Sequence, residues 1–463
     1  MSAPRRVVLA GSAVTTASAE AIDLMEAAAR EAIEVASGAR MGVDVIVIPA
    51  GTWPYGDPGR ELARRLGSPG ATTILGQLGV SQQELLNISI QMIERGDARS
   101  VLVVGGESRR WASAGTYSTL AGGPDRTLER PESFLDDLEI EAGLAFPAVR
   151  SYALIERAFD AVVGLTDLEA DLANAALWSA MSAVAAQQAD SLVDAPVSPE
   201  EVATTSARNR LLAAPYRRLH ASQWTVDHAA ALVLTERDAA RASGADPSAV
   251  VHPLVALEST HAVPVIQRVA LGRWPAMQLL GEVAAAHLGR PLSEIDLVDL
   301  YSCFPVAVRL QAMELGIATE PAPTITGGMT FAGGPFNNYV LGATATMADR
   351  LRQGAATTGL VTTVSGLLTK PGLAVWGSDE PAGGALVADL APAAALRTAA
   401  TPCDLLDEGA ELTIEATTAW FDGDQPTAAI LGRDARGRRR LVLRHDDASV
   451  SRFAEHASIG EQL

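Results

Sequence analysis

Short apolar runs alternate with segments of helical period through most of the chain. Val7–Ala10, Val43–Ile48, Ala71–Leu75 and Val101–Val104 are runs of strand length rich in β-branched residues. Between them Ala17–Ser37, Glu61–Leu66 and the stretch from Ser81 to Arg95 repeat apolar positions at helical spacing. Strands that alternate with helices predict a mostly parallel sheet covered on both faces. Residues from about 107 to 150 break this rhythm: Arg109, Arg110, Trp111, Gly122-Gly123-Pro124 and Pro131 read as an inserted excursion. Helices resume at Arg150–Val163 and Thr166–Gln187. Ala231–Thr235, Val250–Ser259, Val263–Val269, Glu294–Leu300 and Gly359–Ser365 read as strands, with helices at Trp274–Leu288, Val306–Leu315 and Val340–Leu351. Past Gly377 the texture changes, and an Ala/Pro-rich segment to Pro402 marks a domain boundary. Residues 409–460 alternate in β fashion, with turns at Asp422-Gly423 and Ala435-Arg436-Gly437, which predicts a small antiparallel barrel or sandwich and a short tail helix.

One unit occurs twice. Thr326–Tyr339 is a loop with two glycine pairs, Gly327-Gly328 and Gly333-Gly334, then Pro335, Asn337 and Asn338 at the head of a helix. A turn, a strand and Gly366 follow. The earlier copy runs from Leu75-Gly76-Gln77-Leu78-Gly79 through Ser81 and Asn87 to Gly96-Asp97-Ala98, the strand Val101–Val104 and Gly105-Gly106, and Met92-Ile93-Glu94-Arg95 is echoed by Met347-Ala348-Asp349-Arg350. The repeat suggests a duplicated domain whose two glycine loops converge on one site, although two ordinary αβ units would share the same spacing.

Composition narrows the function. The 463 residues are 48% hydrophobic and only 5% aromatic, enough for two or three domains packed largely with small side chains. The net charge of −19 opposes general binding to nucleic acid or to an anionic membrane, and no apolar run reaches the length of a membrane helix. Two cysteines, Cys303 and Cys403, give no disulfide framework, so a reducing cytoplasm is the default location. Phosphate-loop and dinucleotide glycine motifs are absent, and the seven histidines show no metal-ligand spacing. Cys303 stands between a strand and a helix, where unpaired N–H groups favour a thiolate, and it reads equally as a small buried side chain. Tyr301 is either a proton donor or a strand-end core residue, and Ser81 and Asn87 either cap a helix or touch a ligand. His220 and His228 read as structural.

Four motifs resemble those of the thiolase superfamily, and within it the sterol-carrier-type thiolases and bacterial thiolase-like relatives of acetyl-CoA acetyltransferase type. Residues 76–108 lie on the segment around that family's nucleophile, and Asp227-His228-Ala229-Ala230-Ala231 resembles its S-D-G-A-A-A. Leu300-Tyr301-Ser302-Cys303-Phe304 lies on N-E-A-F or H-D-C-F, and Gly327 through Pro335 on G-G-x-x-x-x-G-H-P. The resemblance covers residues 5 to about 378. It implies an α/β duplicated thiolase fold, two βαβαβαββ halves in five layers, plus a small C-terminal antiparallel β domain. The implied domains are 1–255, with a loop insertion at about 107–225, then 256–385, and an extra oligonucleotide-fold-like unit at 386–463.

The departures from the family pattern set the functional expectation. The nucleophilic cysteine position falls on Gly79, the G-H-P histidine on Gly334, and the later C-x-G cysteine near Val364; Tyr301 and Ser302 replace the His-Asp or Asn-Glu pair. An acyl-cysteine cannot form at Gly79. The resemblance therefore puts forward Cys303, Tyr301, Tyr339 and Asn338 as catalytic candidates, and Gly79, Ser81, Ser302, Gly333, Gly334, Asn337 and Ser365 as substrate-binding residues. It implies a small-molecule thioester partner, coenzyme A ester as substrate or ligand, and no permanently bound cofactor or metal. The first expectation is an acyl-CoA-binding protein with altered acyltransferase chemistry. The alternatives are a tyrosine-dependent retro-aldolase and a non-catalytic CoA-ester-binding protein. Arg109, Arg110, Arg217 and Arg218 lie in predicted loops, and none is assigned to the CoA phosphates. A homodimer is expected, or a monomer where the C-terminal domain blocks the interface.

Overall fold

In the computed structural model, residues 5–37, 42–130, 137–398, 411–422 and 425–463 are described; Pro131, Cys403 and Gly423 lie outside them. The chain opens with β1 (Val7–Thr15), α1 (Ala21–Ser37), β2 (Val45–Pro49), α2 (Pro58–Arg65), β3 (Thr72–Gly76), α3 (Gln82–Arg95) and β4 (Ser100–Ser108). A long excursion carries β5 (Arg126–Leu128), α4 (Asp137–Glu141), α5 (Val149–Val163), α6 (Asp167–Ala185), α7 (Pro199–Ala203) and the small pair β6 (Leu211–Ala213) and β7 (Tyr216–Arg217). Then come β8 (Asp227–Glu236), α8 (Arg237–Ser243), β9 (His252–Glu258), α9 (Pro275–Leu288), β10 (Leu297–Asp299), α10 (Pro305–Leu315), α11 (Gly328–Phe331), α12 (Tyr339–Arg352), β11 (Thr358–Ser365), β12 (Lys370–Gly377) and β13 (Leu386–Asp389). The tail holds α13 (Ala391–Thr398), β14 (Thr413–Trp420), β15 (Thr427–Arg433), β16 (Arg439–Arg444) and α14 (Asp447–Glu455).

Apolar residues on both faces of the strands dictate the layering. Val7, Leu9, Val45, Val47, Val101 and Val103 enter one core, while Val8, Ala10, Ile46, Ile48, Leu102 and Val104 enter another together with α1. Successive side chains on a strand point to opposite faces, so unbroken apolar runs need helices on both sides. The first sheet has the order β1-β8-β4-β2-β3-β5 and the second β10-β11-β12-β9-β13. Between the sheets lie α3 and α12, each touching the other and both sheets. With α1 and α2 outside the first sheet and α9 outside the second, the five expected layers and the duplicated architecture are present.

Four expectations are corrected. The sheets are mixed rather than mostly parallel: β8 runs antiparallel between β1 and β4, because the excursion leaves at Ser108 and returns opposite it at Asp227. The strand expected at Val263–Val269 is a loop with a 3-10 turn at Val265–Gln267. Its Ile266 and Arg268 carbonyls accept from the guanidinium of Arg439 at 2.9 and 2.5 Å instead of from a neighbouring strand. The strand expected at Glu294–Leu300 shrinks to β10 behind a 3-10 turn at Leu292–Glu294. The predicted tail barrel or sandwich is, among the described residues, an open three-stranded antiparallel sheet with Val450 and Phe453 of α14 in its core. Because β9 starts at His252 and β13 pairs with β9, we propose domain boundaries between β8 and β9 and after α13, in place of 255 and 385.

The excursion is fixed to the second half by a buried charge network. Arg309 of α10 reaches Glu156, Asp160 at 2.8 Å and Asn174 at 3.0 Å, and Tyr216 donates to Glu156. Burial, followed by repulsion from Glu156, pushes the Asp160 carboxyl up to about 7. Removing the cation would leave two neighbouring buried acids without the charge that bridges them. Arg309→Met is therefore expected to lower unfolding stability by about 3–5 kcal/mol, read by urea denaturation against wild type.

Candidate functional site

The two glycine loops stand at the heads of α3 and α12. Ser81 caps α3, accepting from the Glu84 N–H at 2.9 Å, and its hydroxyl donates to Glu258 at the end of β9 (3.2 Å). Asn87 donates to the other Glu258 oxygen at 3.0 Å. Burial, followed by repulsion from Glu84 and Asp389, raises the Glu258 carboxyl to about 8. At the other loop Asp299, fully buried at the end of β10, accepts from Thr324, from the Ile325 and Thr326 N–H groups, and from Tyr339 at 2.8 Å. The Tyr339 hydroxyl also lies 2.9 Å from that of Thr326, so it is committed to fixing the loop.

The two positions onto which the resemblance puts the nucleophile and the histidine differ: space remains at Gly79, whereas that at Gly334 is filled. Gly79 has φ +99°, where a side chain costs about 1–3 kcal/mol, yet a Cβ there would meet nothing nearer than the Arg130 carbonyl at 3.6 Å and Lys370 Nζ at 3.9 Å. At Gly334 a Cβ would fall 2.0 Å from Ser222 Oγ, so the Ser222 hydroxyl occupies the room a histidine would need. Gly333, at φ +100°, packs against Val226.

Tyr301, Ser302 and Cys303 leave β10 toward α10. The Ser222 N–H donates to the Cys303 carbonyl at 3.1 Å, which ties Cys303 to the Gly334 loop. The Cys303 thiol is buried and hydrogen-bonded to Tyr152 of α5, and burial pushes it up to about 12, so it is a thiol rather than a thiolate at neutral pH. Ser302 accepts from the Met329 N–H at 3.0 Å and holds α11. The Tyr301 ring meets that of Tyr339 edge-on at 5.7 Å. No hydrogen bond links the Tyr301 hydroxyl to a described residue, while burial raises it above the ordinary phenol range.

The two asparagines serve the first half of the molecule. Asn337 donates to the Ala50 carbonyl at 2.8 Å. Asn338 stands at the head of α12, but its side chain makes no cap; it lies 2.9 Å from His228 Nδ1, and its Oδ1 is buried without a partner among the described residues. His228 is driven down to about 4 by burial and is neutral at pH 7. Ser365 pairs with Lys370 across the β11–β12 hairpin and accepts from Thr369 through its carbonyl at 2.9 Å. That hairpin joins the two ends of the site. Lys370 Nζ donates to the Gly79 carbonyl at 2.7 Å, and Tyr152 donates to the Gly366 carbonyl at 3.4 Å. Beside the hairpin lies a cleft of about 190 Å³ walled by Val263, Val269, Trp274 and Leu368.

Motif positions alone do not reveal Tyr152, Glu258 or Lys370. Tyr152 comes from the excursion, which the repeat does not cover, and Glu258 ends an ordinary apolar strand. Lys370 had a signal in plain view: it is the only lysine in the chain. Among the described residues no group of His, Cys, Asp and Glu is placed to hold a metal ion, and no helix is long and apolar enough to cross a membrane.

No protein-family model matches the chain, and no curated protein matches it. Solved structures do. The monomeric SCP2-thiolase-like protein type 1 from Mycobacterium smegmatis is 26% identical over 100% of this chain and 97% of its own, with a TM-score of 0.85. The Ltp2-ChsH2(DUF35) aldolase, 18% identical, covers 82% of this chain and 99% of its own at a TM-score of 0.60. Human mitochondrial 3-ketoacyl-CoA thiolase in complex with CoA, also 18% identical, covers 81% of this chain and 98% of its own at 0.58. The protein belongs to the thiolase superfamily.

The Glu258 carboxyl generates a pH prediction. A carboxyl raised by folding contributes stability while it stays protonated, and that contribution is lost as pH climbs from the unfolded value near 4.3 through the folded value. Wild-type Tm should therefore fall between about pH 4 and about pH 8, and Glu258→Gln should reduce that fall and melt higher than wild type at the alkaline end. An equal fall in both proteins would contradict the assignment.

Proposed function

We propose that the protein binds a coenzyme A thioester between its two glycine loops and does not carry the acyl group on a cysteine. The observation behind this reading is the pair of glycine positions. Gly79 presents a backbone carbonyl occupied by an amine, and the Ser222 hydroxyl stands where a histidine at position 334 would begin. Cys303 offers no substitute at neutral pH, because its thiol is buried, raised to about 12 and shared with Tyr152. The apolar cleft beside Leu368 suits an acyl chain. The Mycobacterium relative, similar over the whole length, and the CoA complex of the human thiolase support the thioester class.

A second reading, carbon–carbon bond cleavage, is favoured by Tyr301. Its hydroxyl is free of described partners and stands beside Cys303, whereas that of Tyr339 is bound to Asp299. The structural likeness to an aldolase fits this reading. We also propose a monomer in solution, for a reason other than a blocking C-terminal domain. The short strand β5 pairs with the outer edge of β3 and so takes that edge away from a second copy of the chain.

Titration calorimetry with CoA and acetyl-CoA is expected to show saturable binding. Intact-mass spectrometry after incubation with acetyl-CoA should show no acetyl group on cysteine. Absence of binding to any CoA ester would sink the first reading, and a hydroxylamine-labile acetyl adduct on Cys303 would sink its second half. Tyr301→Phe should leave thioester affinity within about twofold, since the hydroxyl is assigned to chemistry rather than to ground-state binding.

A further inference from the structure

Lys370 is the only lysine among 463 residues, in a chain that otherwise draws its 36 Lys and Arg cations from arginine. It is 2% exposed and opens β12. Its Nζ donates to the Gly79 carbonyl at 2.7 Å and lies 3.9 Å from where a side chain of residue 79 would begin. The space in front of Gly79 is open at ordinary van der Waals distance. The amine therefore borders the volume into which the family's nucleophilic side chain would project. Glu84, three residues after the Ser81 cap, is within its electrostatic reach.

The structural duties of this side chain, holding a carbonyl and balancing an acid, would be served as well by arginine, with more donors. Arginine cannot release its proton at any working pH, whereas a lysine amine can, and the free amine adds to carbonyl carbon. A single lysine kept in the interior of a chain that uses arginine elsewhere marks a position where that difference matters.

We infer that Lys370 is a covalent nucleophile that takes the keto carbonyl of its ligand as an imine, with a 3-oxoacyl thioester or a related ketone as the substrate class. The Nζ lone pair attacks the carbonyl carbon and the C–N bond forms. The two amine hydrogens pass to the carbonyl oxygen, which leaves as water, and a C=N bond remains; addition of water reverses the step. Protonated, the imine withdraws electrons from the adjacent carbon, which suits bond breaking next to the carbonyl and needs no acyl-cysteine. The thioester part of the ligand rests on the reading proposed above, while the imine does not.

The experiment incubates the full chain with acetoacetyl-CoA or with acetoacetate, reduces with sodium cyanoborohydride and maps the adduct by peptide mass spectrometry. One secondary-amine adduct is expected on Lys370 and none at that site in Lys370→Arg, with the N-terminal amine of the polypeptide as the built-in control. An adduct from both probes or from acetoacetyl-CoA alone supports the inference. An adduct from acetoacetate alone supports Lys370 and counts against the thioester reading. Wild-type protein that melts cooperatively yet gives no Lys370 adduct with either probe, or only the N-terminal adduct, overturns the inference without any variant.

Discussion

Two buried carboxylates hold the site together, and both come from the ends of strands in the second sheet. Glu258, ending β9, takes the hydroxyl of Ser81 and the amide of Asn87 and so fixes the head of α3. Asp299, ending β10, takes five hydrogen bonds from Thr324, Ile325, Thr326 and Tyr339 and fixes the approach to α12. The two helices lie between the sheets, and both acids are buried there. Burying a carboxylate there is costly unless its lone pairs are filled. Asp299 is filled by neutral donors alone, and Glu258 relieves its cost by holding a proton near neutral pH. Each acid exchanges some stability for a defined loop path, and each crosses from the second sheet to a helix that also packs on the first.

That arrangement explains how much of the site could be read in advance. The duplicated glycine loops and the helices behind them follow from local spacing, because each loop and its helix are contiguous in the chain, while Gly79 and Gly334 are singled out only by the family resemblance, and Cys303 by that resemblance and its place between a strand and a helix. Tyr152 and Ser222 come from the excursion between β4 and β8, and their proximity to Cys303 exists only after a 118-residue detour returns to the sheet at Asp227. The apolar run Val263–Val269 has the composition of a strand, yet its carbonyls are claimed by Arg439 from a sheet that begins 144 residues after Val269. Tyr339 stands among the catalytic candidates in sequence because nothing local shows that Asp299, forty residues earlier, accepts its hydrogen bond.

On the function proposed above, the two glycine positions also bear on what kind of change would separate this chain from an ordinary thiolase. Simple loss of a histidine would leave a void at position 334. At Gly334 there is none: Ser222 Oγ fills the place, and the Ser222 N–H at the same time braces the Cys303 carbonyl. At Gly79 the backbone has taken a left-handed turn that a cysteine would resist, and its carbonyl receives an amine from the opposite hairpin. A chain that had merely lost its chemistry would have no reason to keep its one lysine in the interior, where an ammonium is expensive to desolvate. If Lys370 is the nucleophile inferred above, the packing at both positions is that of a pocket rebuilt around it. In such a pocket the amine borders the space in which a side chain of residue 79 would begin, while Glu258 holds the head of α3 through Ser81 and Asn87.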